Sequence, residues 1–353
     1  MVAVLHFSDE WLPNLKITEH TMLIDKGYLW VDFFFVLSGF IISHVYASRF
    51  RGAFGLRTYA GFMYARFSKI YPIHLIVLFG FVVLELVKLG MGILGGSELL
   101  TQAFTGEKAP LGIVTSVLML HSMGVHEIVV WNLPSWSMSV EWYTYVVFPI
   151  LAVLLLKPGK IWVFPSLIVC IALVFWFASI RGMLNVIVDY GFLRCLLEFS
   201  LGMIVYRIYE ANLFRSIISN SAVFIVAFLG LLSIMHLDAF DAYTVPLFGV
   251  VILSAAWNRG MVERMLNVRW LTFLGDISYS LYMSHFLLRE FIGRSWRVLR
   301  GRNIWEEELS AFESWALLFG QLVLVIIVAW FFYRFLENPL QKRIRGAPIA
   351  DKF

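Results

Sequence analysis

Residues 161–180 read IWVFPSLIVCIALVFWFASI, an unbroken run without one charged side chain. An α-helix rises ~1.5 Å per residue and the hydrocarbon core of a bilayer is ~30 Å thick, so this stretch is long enough to cross it. Apolar runs of the same kind, separated by charged or Gly/Pro-rich breaks, recur near 29–47, 70–90, 133–156, 192–209, 219–237, 243–258, 270–290 and 313–336. The run 111–123 is too short to cross and reads as a re-entrant or interfacial piece.

Composition agrees with this reading. Of 353 residues, 60% are hydrophobic and only 15% charged, while aromatics reach 17%. A soluble globule of this size has too little interior to hide that much apolar surface. A soluble enzyme, a disordered chain and a secreted disulfide scaffold are therefore excluded, and the long unbroken runs argue against a transmembrane β-barrel. The two cysteines, Cys170 and Cys195, lie inside apolar runs and form no CxxC. The expected fold is all-α, a polytopic transmembrane helix bundle forming one domain over 1–340, with a short basic tail over 341–353.

Residues 1–7 are apolar and stop at Asp9 and Glu10. They would cover only about 10 Å, and read as the end of a first helix that begins upstream. With that truncated helix the expected count is ten spans. If 48–69 faces the cytoplasm, the larger share of the 28 Lys and Arg falls on that side, as the positive-inside rule asks. The C-terminus then lies inside. The net charge of +4 is spent on loops and points to no nucleic acid.

Ionisable groups inside a membrane are functional suspects by default. The topology puts His6, Asp32, Glu141 and His285 at one outer depth on four helices. Ser137, Glu141 and Tyr145 share one helix face (i, i+4, i+8), and Ser278, Tyr282 and His285 share another (i, i+4, i+7). At the opposite depth, Arg66 and Lys69 precede Pro72, which fits the first turn of the 70–90 span. Two cations at a helix N-terminus make a seat for phosphates. Glu85 and Lys88 read as a structural i, i+3 pair. His44, His121, His126 and His236 read as interfacial residues. No His/carboxylate spacing fits a zinc signature, so no metal is expected.

Five segments carry a family resemblance: Val31-Asp32-Phe33-Phe34-Phe35-Val36-Leu37-Ser38-Gly39-Phe40; Arg66-Phe67-Ser68-Lys69-Ile70-Tyr71-Pro72; Trp136-Ser137-Met138-Ser139-Val140-Glu141-Trp142-Tyr143; Leu274 to His285; and Glu337-Asn338-Pro339. Together and in this order they resemble the acyltransferase-3 family, bacterial polytopic membrane proteins that acylate cell-surface and exported carbohydrates. The family pattern includes an Arg eleven residues before an essential His. Val2-Ala3-Val4-Leu5-His6 resembles the end of that motif, and the Arg would fall before Met1.

The resemblance implies an O-acyltransferase of the bacterial inner membrane that uses cytoplasmic acyl-CoA, with acetyl as the expected group. The implied partners are a carbohydrate or glycolipid acceptor, membrane lipids and proteins of polysaccharide biosynthesis. Arg66, Lys69 and Tyr71 would hold the CoA. His6 would serve as general base or acyl carrier, with Asp32 or Glu141 holding its ring. Trp136, Ser137, Ser278, Tyr282 and His285 would meet the substrate and the developing oxyanion. The rival reading is a transporter or flippase for a lipid-linked sugar. Against it, the chain has no inverted repeat and no paired broken helices in matching halves.

Overall fold

The computed structural model describes residues 1–8, 11–51, 54–95, 102–156 and 159–345, and among them no strand occurs. A short α1 (Val2–Ser8) is followed by α2 (Leu29–Phe50), α3 (Leu56–Gly95), α4 (Pro110–Val117), α5 (Ser135–Leu155), α6 (Val163–Arg181) and α7 (Gly191–Glu210). Then come α8 (Ser221–His236), α9 (Thr244–Trp257), α10 (Arg269–Arg300), α11 (Ala311–Phe332), a π-helical turn (Tyr333–Glu337) and α12 (Asn338–Arg345). Every apolar run read from the sequence forms a helix. The run 111–123 supplies only the short α4, opened by Pro110 in its first turn. Of the expected basic tail, residues 346–353 lie outside the described residues.

Among the described residues, five helices are long and apolar enough to cross a membrane: those over Asp25–Phe50, Leu56–Ile93, Ser135–Leu155, Lys160–Arg181 and Ala311–Ile344. The α8 and α9 segments are apolar but shorter. The α7 and α10 segments are long but carry several charges, among them Arg194, Glu198, Arg207 and Glu210 on α7. The outer faces of the bundle are oily. Phe79 and Ile168 are each 67% exposed, Val226 and Phe319 each 70%. Such a surface suits lipid and would associate in water.

The 40-residue α3 corrects one expectation. Pro72 does not open a helix; it sits well inside one that begins at Leu56. Its missing N–H and ring leave the Ser68 carbonyl without its usual partner, a defect that neighbouring helices absorb in membrane proteins. Arg66 and Lys69 therefore lie mid-helix, not at a helix N-terminus, and the backbone N–H groups around them are already used.

The tightest crossing is α2 on α7. A Cβ added at Gly39 would stand 2.0 Å from the Phe199 carbonyl oxygen, and one at Gly202 2.0 Å from that of Val36. Small residues let two helix backbones touch, which is how helices associate where lipid removes the hydrophobic drive. Around this crossing Phe40, Phe50, Phe62, Phe148 and Phe199 make the largest core. A second core joins Phe7, Trp11 and Leu12 to Leu318 and Val325, and so ties the N-terminal segment to α11.

Candidate active site

Two segments far apart in the chain, α1 and α10, meet at a pair of histidines. The His6 ring on α1 stacks on that of His285 on α10, with centroids 5.4 Å apart and planes 24° apart. Phe286 meets His6 edge-on at 5.6 Å. His285 is fully buried. Its Nδ1 lies 2.7 Å from the Tyr282 carbonyl oxygen. A carbonyl only accepts, so Nδ1 carries the proton and Nε2 keeps its lone pair. That Nε2 is buried with no hydrogen-bond partner among the described residues.

The two polar stripes converge beside this pair. Ser137 Oγ on α5 and the Tyr282 hydroxyl on α10 are 2.8 Å apart, and Tyr282 also donates to the Pro134 carbonyl at 2.9 Å. The Tyr282 ring lies 5.9 Å from that of His285. Ser278, one turn back on the same stripe, is half-buried. Trp136 joins Tyr282 in one apolar cluster that Val2 of α1 also touches.

The two carboxylates go elsewhere. Asp32 does not reach His6: both its oxygens are taken by Arg194, from Nε and Nη2 at 2.6 Å each, with both side chains fully buried. Trp136 covers the guanidinium at 5.1 Å. Glu141 accepts from the Tyr145 hydroxyl at 2.6 Å, and that hydroxyl also meets Ser38 at 2.9 Å. The four residues expected at one depth thus separate into an open histidine pair, a closed ion pair and a Glu–Tyr–Ser chain.

The Glu141 chain leads inward to Arg66, whose guanidinium lies over the Tyr145 ring at 5.9 Å and the Tyr46 ring at 5.6 Å. Lys69 meets Glu337 at 2.5 Å, and Ser280 donates to the other Glu337 oxygen at 2.6 Å. Glu337 is buried while Lys69 is 37% exposed. The π-helical turn that ends at Glu337 swings this carboxylate inward, a use of such turns found often at functional sites. Tyr71 stacks on Phe67 at 4.5 Å and meets Trp142 edge-on at 4.9 Å.

Two further readings are corrected by tertiary contacts. Glu85 pairs with Arg294 of α10 at 2.6 Å, not with Lys88, whose ammonium reaches the Gln102 carbonyl. His121 is fully buried, not interfacial. It is parallel to the buried His74 at 5.8 Å and bound to Ser135, because the segment after α4 folds back into the bundle. His126 is half-buried and bound to Thr115, while His44 and His236 are exposed. Sequence reasoning passed over Arg194 and Glu198, although both stand inside an apolar run at i, i+4, the same signal that marked Glu141. Glu198 is buried with this ion pair.

Residues 1–334 match the family described as acyltransferase domain. Acyltransferase MdmB of Streptomyces mycarofaciens is similar at 23% identity over 347 residues, covering 92% of this chain and 84% of that protein. No solved structure matches.

Proposed function

This chain belongs to the acyltransferase-3 family, and from that membership we propose that it is a multi-pass O-acyltransferase of the bacterial inner membrane, moving an acetyl group from cytoplasmic acetyl-CoA to a hydroxyl of a cell-surface or exported carbohydrate or glycolipid. The observation that carries the reading is the His6–His285 stack with its unpartnered buried imidazole nitrogen. An intramembrane ionisable group is a functional candidate by default, and the open nitrogen here is Nε2 of His285, stacked on His6.

In this reading the helices form a ten-span bundle with a cytoplasmic C-terminus. Arg66, Lys69 and Tyr71 hold CoA at the inner mouth, and the pantetheine arm threads outward between α3 and α5. The Arg66 guanidinium lies over two tyrosine rings, and the Lys69 side chain is 37% exposed while its ammonium is tethered to Glu337. Both cations remain able to meet phosphate.

At the outer end, His6 takes the proton of the acceptor hydroxyl as its oxygen attacks the thioester carbonyl. The new C–O bond forms, the tetrahedral intermediate expels the thiolate, and the imidazolium returns its proton to that sulfur. His285 fixes the plane of the His6 ring by stacking. The hydroxyls of Tyr282 and Ser137, which donate to the Pro134 carbonyl in this structure, turn their protons to the oxyanion as it develops. In the two-step variant His6 carries the acetyl group itself.

The test is transfer of label from radioactive acetyl-CoA to a carbohydrate fraction in membranes. General-base assistance is worth ~10²–10⁴-fold, so His6→Ala is expected to lose at least that lower factor. Wild-type transfer in that variant overturns the assignment. Acid quenching after acetyl-CoA alone distinguishes the two routes, because only an acetyl-enzyme retains label on the protein.

A further inference from the structure

Along its inner half α3 packs directly on α5: the Tyr71 ring meets Trp142 edge-on at 4.9 Å, and the Tyr59 hydroxyl donates to the Val146 carbonyl at 3.2 Å. One turn further out the segment 116–122, the end of α4 and the turn after it, comes between them. His74 of α3 meets Ser116 and His121, and His121 reaches Ser135 of α5. A stripe on α5 holds this segment, with Ser135, Ser139 and Tyr143 spaced i, i+4, i+8. Ser139 donates to the Met119 carbonyl and accepts from the Ser122 N–H at 3.3 Å, and Tyr143 donates to the Leu118 carbonyl at 3.2 Å.

The seam between α3 and this segment is polar and unsatisfied. His74 Nε2 lies 2.9 Å from the Ser116 carbonyl oxygen. His121 Nε2 lies 3.1 Å from the Ser135 carbonyl oxygen and 3.0 Å from its hydroxyl, whose own proton goes to the Asn132 carbonyl at 2.6 Å. Both Nε2 atoms therefore carry protons, and both Nδ1 atoms keep a lone pair. The two Nδ1 atoms and the hydroxyls of Ser116 and Ser122 are buried with no hydrogen-bond partner among the described residues. Such atoms cost free energy and are few in a native protein. Met119, in the middle of the segment, holds a left-handed backbone at φ +57°, a strain that collects at ligand clamps and switches.

The unanswered atoms are a matched set for secondary amides. A bare imidazole nitrogen accepts from an amide N–H, and a hydroxyl donates to an amide carbonyl. A phosphate would need donors alone, and the imidazole lone pairs would oppose it. The seam also lies at the depth of the candidate site: Ser137, which meets the Tyr282 hydroxyl at 2.8 Å, stands on α5 between Ser135 and Ser139.

We infer that this seam is the seat of the acyl donor's pantetheine arm. The Nδ1 atoms of His74 and His121 and the hydroxyls of Ser116 and Ser122 hold its amides, and the segment 116–122 moves off α3 to admit it. The inference rests on the acyl-CoA reading above and gives the arm its binding groups. With the amides fixed, the thioester, joined to the nearer amide by a short ethylene link, is carried to the level of Ser137 and Tyr282 in one orientation.

The test uses the full chain in phosphatidylcholine nanodiscs and titration calorimetry with CoA, pantetheine and adenosine 3′,5′-bisphosphate. The two serine hydroxyls have no partner to lose among the described residues, so Ser116→Ala and Ser122→Ala are expected to keep the wild-type thermal midpoint. Each should weaken CoA and pantetheine by about fivefold, the worth of one hydrogen bond, and leave the nucleotide unchanged. Lys69→Gln should do the reverse, weakening CoA and the nucleotide and sparing pantetheine.

CoA binding unchanged in the double variant Ser116→Ala/Ser122→Ala overturns the inference and marks a seam filled by ordered water. Equal weakening of CoA and the nucleotide overturns it too, because the loss then lies in the fold and not at the arm. Label transfer from acetyl-CoA, measured on the same discs, separates the inference from the reading beneath it. Transfer with CoA binding indifferent to both serines fails the inference alone, and serine-dependent binding without transfer fails the acyltransferase reading alone. A wild-type chain that binds no CoA overturns both.

Discussion

The His6–His285 stack, with His285 buried and His6 half-buried, and the fully buried Asp32–Arg194 pair are both polar and built from distant parts of the chain, yet they are opposite kinds of object. In the ion pair every strong valence is answered: two guanidinium nitrogens meet two carboxylate oxygens at 2.6 Å each, under an indole lid. In the histidine pair one nitrogen is fixed by a carbonyl and the other is left open. A saturated pair positions helices α2 and α7. The imidazole with a free nitrogen belongs to the pair proposed above for the chemistry. Depth in the membrane does not separate the two; only the count of satisfied valences does.

The sharpest way to break this comparison is His6→Ala. Its expected result is the loss of transfer by ~10²–10⁴-fold with unchanged thermal stability in detergent. A variant that unfolds instead would put the stack among the struts. Next in size is Arg194→Gln, which strands Asp32 and should cost about 3–5 kcal/mol of stability, read as a fall in the midpoint of thermal aggregation. The double variant Asp32→Leu/Arg194→Met is expected to recover most of that loss, since apolar replacement of a buried pair is often neutral. Recovered stability without recovered transfer would show that the pair does more than position helices.

A smaller effect is expected at the inner end. Lys69→Gln leaves Glu337 with Ser280 as its hydrogen-bond partner and should cost about 1–3 kcal/mol. In transfer assays it should raise the KM for acetyl-CoA while sparing kcat. A change confined to kcat would remove Lys69 from the CoA seat. The smallest is Ser137→Ala, about 1 kcal/mol in stability, with a lower kcat if the Tyr282 hydroxyl needs Ser137 to aim it. Transfer at the wild-type rate would leave Tyr282 held by the Pro134 carbonyl alone.

Much of the fold was legible because apolar length is a local property. Each run from 29–47 to 313–336 became a helix without help from its neighbours, and short α4 followed from the length of its run. Boundaries were less legible. The polar stretch 56–69 gave no apolar signal, so the start of α3 was placed too late and Pro72 was taken for a first-turn residue. The stripes Ser137–Glu141–Tyr145 and Ser278–Tyr282–His285 followed from helical spacing alone, and Ser137 and Tyr282 do meet.

Partner choice was the part that spacing could not supply. Glu85 faces Lys88 in sequence and Arg294 in space. Asp32, an alternative to Glu141 for holding the His6 ring, is closed on Arg194, from a run whose charges drew no notice. His121 was placed at an interface because it lies near the end of a run, and it is buried because the chain after α4 turns back.

The sequence by itself determined that this chain is a bundle of apolar helices, which ionisable residues fall inside its apolar runs, and to which family its motifs belong. Hydropathy and helical period are one-dimensional quantities, and they fix what each helix is and which face is polar. Only the tertiary structure decided which polar groups are spent on one another and which stay open. That outcome depends on how helices from distant parts of the chain, α1 and α10 above all, are rotated and brought to within a ring's width, and no short-range pattern encodes that distance.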